Sequence, residues 1–275
     1  MKTVGSLVRW AGSKRKLLPV LMPYWNSKKF KRYVEPFAGS ACLFFELNPK
    51  AALLGDLNTE LISTYKSVRR DPDLVLECFK RLPKGEKNYY RIREIDPASL
   101  SDFDRAARFL YLNRWCFNGL YRTNKAGKFN VPYGGRHKIS QLDEETLFRS
   151  SKTLKGATLV NADFEKTIAR AKKGDFYYMD PPYVVESRRV FAEYLPGTFI
   201  SKDLERLGKM VEKLDKKGVH FLVSYADCAL IRRLFKKWHI QRIWTRRNIA
   251  GFSGSRRGTY ELLISNFLPS PGERK

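Results

Sequence analysis

Five short apolar, β-prone runs constrain this chain more than any other feature, because each one closes on a turn that leads into a helical pattern. They are Tyr33-Val34-Glu35, Ala51–Leu54, Ala157–Val160, Phe176–Met179 and Val219–Ser224. Strands alternating with helices fold as an α/β layer structure, in which ligands gather where the strands end. The first run passes through Pro36-Phe37-Ala38-Gly39 into a helix expected from Ser40 through Leu43, Phe44 and Leu47. This is the strand–turn–helix opening of a nucleotide-binding unit, but it lacks G-x-G-x-x-G, which argues against a dinucleotide. The second run ends at Gly55-Asp56-Leu57-Asn58. An acid roughly twenty positions beyond a glycine turn is placed to grip a ribose hydroxyl pair. Alternatively, Asp56 caps the following helix, which runs from Glu60 through Tyr65. Asp163 and Phe164, after the third run, can hydrogen-bond and stack on a purine, or Asp163 can cap its own helix.

The fourth run ends in Asp180-Pro181-Pro182-Tyr183. Two prolines fix φ and offer carbonyls without an N–H. A carboxylate, a rigid carbonyl and an aromatic ring together suit a planar heterocyclic amine, with two acceptors for its two N–H bonds and a ring for its face. An Asp-Pro turn with a core tyrosine is the plainer alternative. Near the start, Trp10-Ala11-Gly12-Ser13-Lys14 places a small-residue turn between an indole and an ammonium. Gly12 and Ser13 permit close backbone approach, and Lys14 can meet a carboxylate or phosphate.

Between about Leu61 and Leu142 the strand pattern disappears, and helices are expected at Ser63–Val68, Asp73–Lys80 and Asp102–Trp115. The segment Phe117-Asn118-Gly119-Leu120-Tyr121-Arg122-Thr123-Asn124 follows, and a Lys125–Lys128 turn then leads to Asn130, Val131 and Pro132. It reads as a hairpin whose polar, aromatic and basic arms suit a groove better than a core. Arg122 can make a bidentate contact to a guanine edge, and Phe117 can fill the gap left by an extruded base. Later elements are a helix at Lys202–Lys217, another at Asp227–Lys237, and strands at His239–Trp244 and Tyr260–Ser265. The loop Gly251–Gly258, with Arg256 and Arg257, is expected to close on an anion.

The charge balance narrows the partner. With 53 Lys+Arg against 28 Asp+Glu, the formal charge of +25 favours a polyanion. Nucleic acid fits better than a membrane, since no basic amphipathic helix, lipidation signal or spanning run is visible. Cys42, Cys78, Cys116 and Cys228 are scattered, and His137, His220 and His239 have no ligand spacing. Neither a metal site nor a disulfide framework is expected, and a reducing cytoplasm fits.

Taken together, Trp10–Lys14, Val34–Gly39, Asp56-Leu57-Asn58 and Asp180–Tyr183 stand in the order of the Dam-like DNA adenine-N6 methyltransferases, which this chain resembles from about Leu7 to Phe267. The resemblance implies a Rossmann-like, S-adenosylmethionine-dependent methyltransferase sheet over 1–60 and 146–275. It also implies an inserted, mostly helical target-recognition domain over 61–145 that carries a β-hairpin. By that resemblance Trp10, Lys14, Phe37, Gly39, Asp56, Asp163, Phe164 and Asp180 meet S-adenosylmethionine, and Asp180, Pro181, Pro182 and Tyr183 hold a flipped adenine. Phe117, Asn118, Leu120, Arg122, Asn124, Asn130 and Pro132 would contact double-stranded DNA, with GATC as the expected site. No metal, no membrane and a monomer or weak dimer are implied. Two departures are Ser13, where many relatives carry glycine, and Ala38-Gly39-Ser40 in place of G-x-G. The alternatives are an RNA or protein methyltransferase of the same fold, and a non-catalytic DNA-binding module.

Overall fold

The computed structural model describes residues 6–124, 126–135, 141–184, 199–246 and 258–269. One seven-stranded sheet runs through it. In chain order its strands are β1 (Arg32–Glu35), β2 (Ala52–Asp56), β3 (Ala157–Asn161), β4 (Asp175–Met179), β5 (His220–Ala226), β6 (His239–Arg246) and β7 (Gly258–Ser265). Their spatial order is β3-β2-β1-β4-β5-β7-β6. The first five pair in parallel, while β7 lies antiparallel between β5 and β6. Winding reverses between β1 and β4, so a crevice opens where Glu35 and Met179 end their strands.

Alternate residues of each strand feed two cores, as a period of two demands. Tyr33, Leu54, Phe176, Tyr178 and Leu263 face one cluster, with α1 (Leu18–Asn26) and α2 (Cys42–Leu47). Val34, Leu53, Tyr177, Met179, Leu262 and Ile264 face the other, with α8 (Phe164–Ile168), α9 (Ser201–Lys216) and α10 (Ala229–Leu234). The Rossmann-like α/β expectation is met.

The helical stretch is longer and richer than the sequence pattern suggests. It comprises α3 (Thr59–Arg70), α4 (Pro72–Arg81), α5 (Glu86–Glu94), α6 (Asp102–Trp115) and α7 (Glu144–Leu154), of which α5 and α7 were not expected. Leu61, Tyr65, Phe109, Leu110 and Leu147 join the first sheet core, so these helices pack on the sheet. A small third cluster, including Tyr89, Tyr111, Cys116 and Val131, sits apart from it. The expected boundaries at 60/61 and 145/146 fall inside α3 and α7.

Three further differences are local. α2 begins at Cys42 rather than Ser40 because Gly39 and Ala41 both adopt left-handed φ of 46°. α10 ends at Leu234, short of the expected Lys237. The hairpin is reduced to two isolated bridges, Thr123 to Phe129 and Cys116 to Tyr133. Only part of its arms is covered: Val131 is buried in the third cluster, while Phe117, Asn118, Arg122 and Pro132 face solvent. The loop expected to close on an anion lies outside the described residues, except for Gly258, which opens β7.

Candidate active site

Four elements end at the crevice, and each delivers a polar group. The turn before the 3-10 helix Lys14–Leu17 is closed by Ser13 N–H donating to the Trp10 carbonyl (3.2 Å), with Gly12 at φ 83°. This aims Lys14 inward, where its side chain is only 7% exposed. Lys14 Nζ donates to Asp180 Oδ1 at 2.7 Å and to the Gly12 carbonyl at 3.0 Å. It also lies 3.5 Å from Glu261 Oε1. Burial alone would lower the Lys14 pKa, but the carboxylates of Asp180 and Glu261 outweigh it and hold the ammonium well above its ordinary value. Burial pushes the Asp180 carboxyl up, and Lys14 pulls it back.

Asp180 ends up fixed on one side. Ser224 Oγ donates to the same Oδ1 at 3.3 Å, and the Tyr178 hydroxyl lies 3.0 Å from Ser224 Oγ. Among the described residues, no hydrogen bond reaches Asp180 Oδ2. Beyond the corner, the Tyr183 hydroxyl donates to Glu261 Oε1 at 2.7 Å, and its ring sits edge-on to Tyr225.

The glycine turn after β1 is held just as firmly. Gly39 N–H donates to Asp56 Oδ2 at 2.9 Å, and the Tyr65 hydroxyl donates to the Gly39 carbonyl at 2.7 Å. A Cβ at Gly39 would come within 2.9 Å of the Trp10 indole, so a side chain there would displace that ring. Asp56 does not cap α3; Asn58 does, accepting from Leu61 N–H at 3.0 Å. Asp56 instead accepts from Gly39 and Asn58, although burial pushes its carboxyl up. Asp163 does cap α8, accepting from Glu165 N–H, and it also pairs with Arg206 at 3.0 Å. Arg206 lies over the Phe164 ring, which stacks on Phe37 at 5.2 Å.

These groups share one cavity of about 1030 Å³. Trp10, Lys14, Phe37, Gly39, Asp56, Asp163, Phe164, Asp180, Pro181, Pro182 and Tyr183 all line it, as does Arg122 from the far side. Phe117, Asn118, Leu120, Asn124, Asn130 and Pro132 do not. They form the adjoining segment, where Phe117 and Asn118 are exposed and Asn118 is held in a left-handed turn at φ 55°. Leu120 packs on the third cluster, and the Pro132 carbonyl accepts from Phe117 N–H. The Asn124 side-chain oxygen is occupied by Ala126 and Lys128 N–H, and that of Asn130 by Arg122 Nε at 2.8 Å.

Sequence reading did not pick out Glu35, Ser224, Glu261, Arg206 or Tyr121. Glu35 is buried, accepts from the Tyr33 hydroxyl at 3.0 Å, and has its carboxyl held well above the ordinary range by burial. Tyr121 stacks on Trp10 at 5.9 Å and joins the cavity wall. Only Glu35, an acid at the end of an apolar run, carried a sequence signal.

A cavity lined by both carboxylates and aromatic faces suits a ligand that combines positive charge with a flat heterocycle. Among the described residues, no group of His, Cys, Asp and Glu is placed to hold a metal, and no helix is long and apolar enough to cross a membrane.

Known proteins agree with this chemistry. Residues 10–249 match the family model described as D12 class N6 adenine-specific DNA methyltransferase. The chain is 35% identical to Type II methyltransferase M1.LlaDCHI of Lactococcus lactis subsp. cremoris, over 94% of each protein. It is 32% identical to Type II methyltransferase M.MjaIII of Methanocaldococcus jannaschii, over 96% of this chain and 99% of that one. It is also 32% identical to the DNA adenine methylase of Escherichia coli K12, over 99% of this chain and 98% of the relative. With a match over most of its length and relatives aligned nearly end to end, the chain belongs to the D12 class of N6 adenine-specific DNA methyltransferases.

Proposed function

We propose that this DNA adenine methyltransferase acts on an adenine turned out of duplex DNA, with Asp180, Pro181, Pro182 and Tyr183 holding the base. Trp10, Lys14, Phe37, Gly39, Asp56, Asp163 and Phe164 hold the cofactor. The observation that carries this reading is that Asp180 and the Gly39 turn line one cavity. The family's methyl donor, S-adenosylmethionine, supplies a methyl group on a sulfonium, which is a strong electrophile. The residues fit it: Asp56 and Asp180 bring carboxylates, and the Phe37–Phe164 pair offers faces for a purine.

Adenine N6 is a weak nucleophile because its lone pair is delocalised into the ring. Lys14 and Ser224 fix Asp180 Oδ1, leaving Oδ2 to accept one amine hydrogen while the Pro181 carbonyl accepts the other. Both contacts favour a pyramidal nitrogen and expose its lone pair. Rate then comes from positioning and fixed charge rather than from a covalent enzyme–base adduct. The amine lies inside the stack of a duplex, so the base is extruded at a cost of a few kcal/mol, and the Tyr183 ring stacks on it.

Sequence selection falls to the unit spanning 61–145. Arg122, exposed and braced by Asn130, reads a guanine. Leu120 and Pro132 meet a thymine methyl, Phe117 fills the gap in the stack, and Asn118 and Asn124 meet the backbone. GATC is the proposed site. In the test, parent and Asp180→Ala proteins are incubated with labelled S-adenosylmethionine and duplex DNA, and the modified base is mapped. The variant should lose transfer by about a hundredfold or more while keeping its DNA affinity. Equal transfer by the variant would remove Asp180 from the chemistry, and labelled adenines outside GATC would remove the site assignment.

A further inference from the structure

Lys14 does not serve Asp180 alone. Its ammonium stands between two carboxylates from different parts of the sheet, Asp180 at 2.7 Å and Glu261 at 3.5 Å. Glu261 lies on β7, directly beside Ala226 at the end of β5, with its side chain 2% exposed. The oxygen it turns to Lys14, Oε1, also accepts the Tyr183 hydroxyl at 2.7 Å. Lys14 in turn lies 5.1 Å over the Tyr183 ring. A buried acid costs several kcal/mol to desolvate, so its place here needs a cause beyond packing.

We infer that Glu261 is a positioning residue for methyl transfer: through one oxygen it anchors the ring of Tyr183 and holds Lys14 off centre from Asp180. The inference rests on the reading of Asp180 and Tyr183 as the groups that hold the base. An ammonium balanced on Asp180 alone would neutralise the carboxylate that must attract the amine hydrogen. Shared with Glu261, it orients Asp180 through Oδ1 and leaves more negative charge for Oδ2. The hydroxyl contact to Glu261 limits rotation of the Tyr183 ring, so the stacking face is in place before the base arrives.

Among the described residues, the charged and titratable groups facing this cluster are Lys14, Asp180, Tyr183, Glu35, Tyr178 and Cys42. Glu261 is among those that raise Asp180, so removing its charge moves the acid limb of the rate profile to lower pH.

The experiment compares the full-length parent with Glu261→Gln, Tyr183→Phe and the double variant. It reads single-turnover methylation of duplex DNA across pH, cofactor and DNA affinity, and the fluorescence of 2-aminopurine at the target position. Gln still accepts the tyrosine hydroxyl but carries no charge, and Phe keeps the ring but loses the hydroxyl. Glu261→Gln should slow transfer by about 10- to 100-fold with affinities nearly unchanged, and its acid limb should shift to lower pH. Tyr183→Phe should slow transfer less and lower the 2-aminopurine signal. The double variant should lose less than the product of the two singles. A Glu261→Gln rate within about twofold of the parent, or an acid limb that does not move, overturns the inference. If Glu261→Gln fails to fold, Tyr183→Phe decides: a parental rate and parental fluorescence overturn it. An active Asp180→Ala protein would instead show that the underlying site assignment is at fault.

Discussion

The crevice at the sheet and the segment from Phe117 to Pro132 are opposite solutions to holding a ligand. In the crevice the acids are committed to fixed partners. Lys14 bridges Asp180 and Glu261, Asp56 ties down the Gly39 turn, and Glu35 is closed in with Tyr33. In the segment, Phe117, Asn118, Arg122 and Pro132 are exposed, and two isolated bridges with a few backbone hydrogen bonds hold it over the small cluster of Cys116 and Val131. The contrast teaches that the charge of a fixed site can be set during folding, whereas an exposed segment leaves its side chains to be ordered by what it meets.

Substitutions should therefore separate the two regions. The largest effect is expected for Lys14→Ala, which strands Asp180 and Glu261 without their cation. Urea unfolding should show a loss of about 3–5 kcal/mol, and a loss near zero would mean the pair is solvated rather than buried. Arg122→Ala should leave stability untouched and relax discrimination at one base pair by about 1–3 kcal/mol, measured as relative kcat/KM on single-substituted duplexes. Uniform weakening on all of them would make Arg122 a phosphate contact. Gly39→Ala meets both a left-handed φ and the Trp10 ring. Calorimetry should show weaker cofactor binding, and unfolding a loss of about 1–2 kcal/mol, with DNA affinity preserved.

The subtlest test concerns pH. The folded-state pKa of Glu35 is raised by burial, despite the opposing bond from Tyr33. As pH climbs past the ordinary carboxylate value, the unfolded chain releases a proton that the folded chain keeps, so stability falls with pH until the raised value is passed. Glu35→Gln has no such proton and still accepts from Tyr33. Its stability relative to the parent should grow as pH rises from about 4 to 8. A difference that stays flat with pH would mean Glu35 titrates alike in both states.

The two regions also differ in how well the sequence exposed them. Asp180, Asp56 and Gly39 were legible because apolar runs of strand character end beside them, and strand ends are where parallel sheets place ligands. The partner Asp56 chose was not legible: Asn58, two residues on, takes the cap and frees Asp56 for Gly39. Glu261 escaped notice because it begins a buried stretch on an antiparallel strand, far along the chain, where nothing local marks a charge as functional. Its role emerges only when β7 is laid beside β5. In the segment after α6 the residue types were visible but the pairing was overestimated, since alternating polar and aromatic side chains resemble a strand even where only a few of them, such as Val131, are buried.

The place of β7 also affects how the enzyme comes into being. It follows β6 in the chain, yet it slots between β5 and β6, and among the described strands β6 pairs with nothing else. A nascent chain halted before Gly258 has two unpaired ladders and no Glu261, and exposed strand edges of that kind recruit other chains. The strand that carries Glu261 is thus also the one that closes the sheet between β5 and β6.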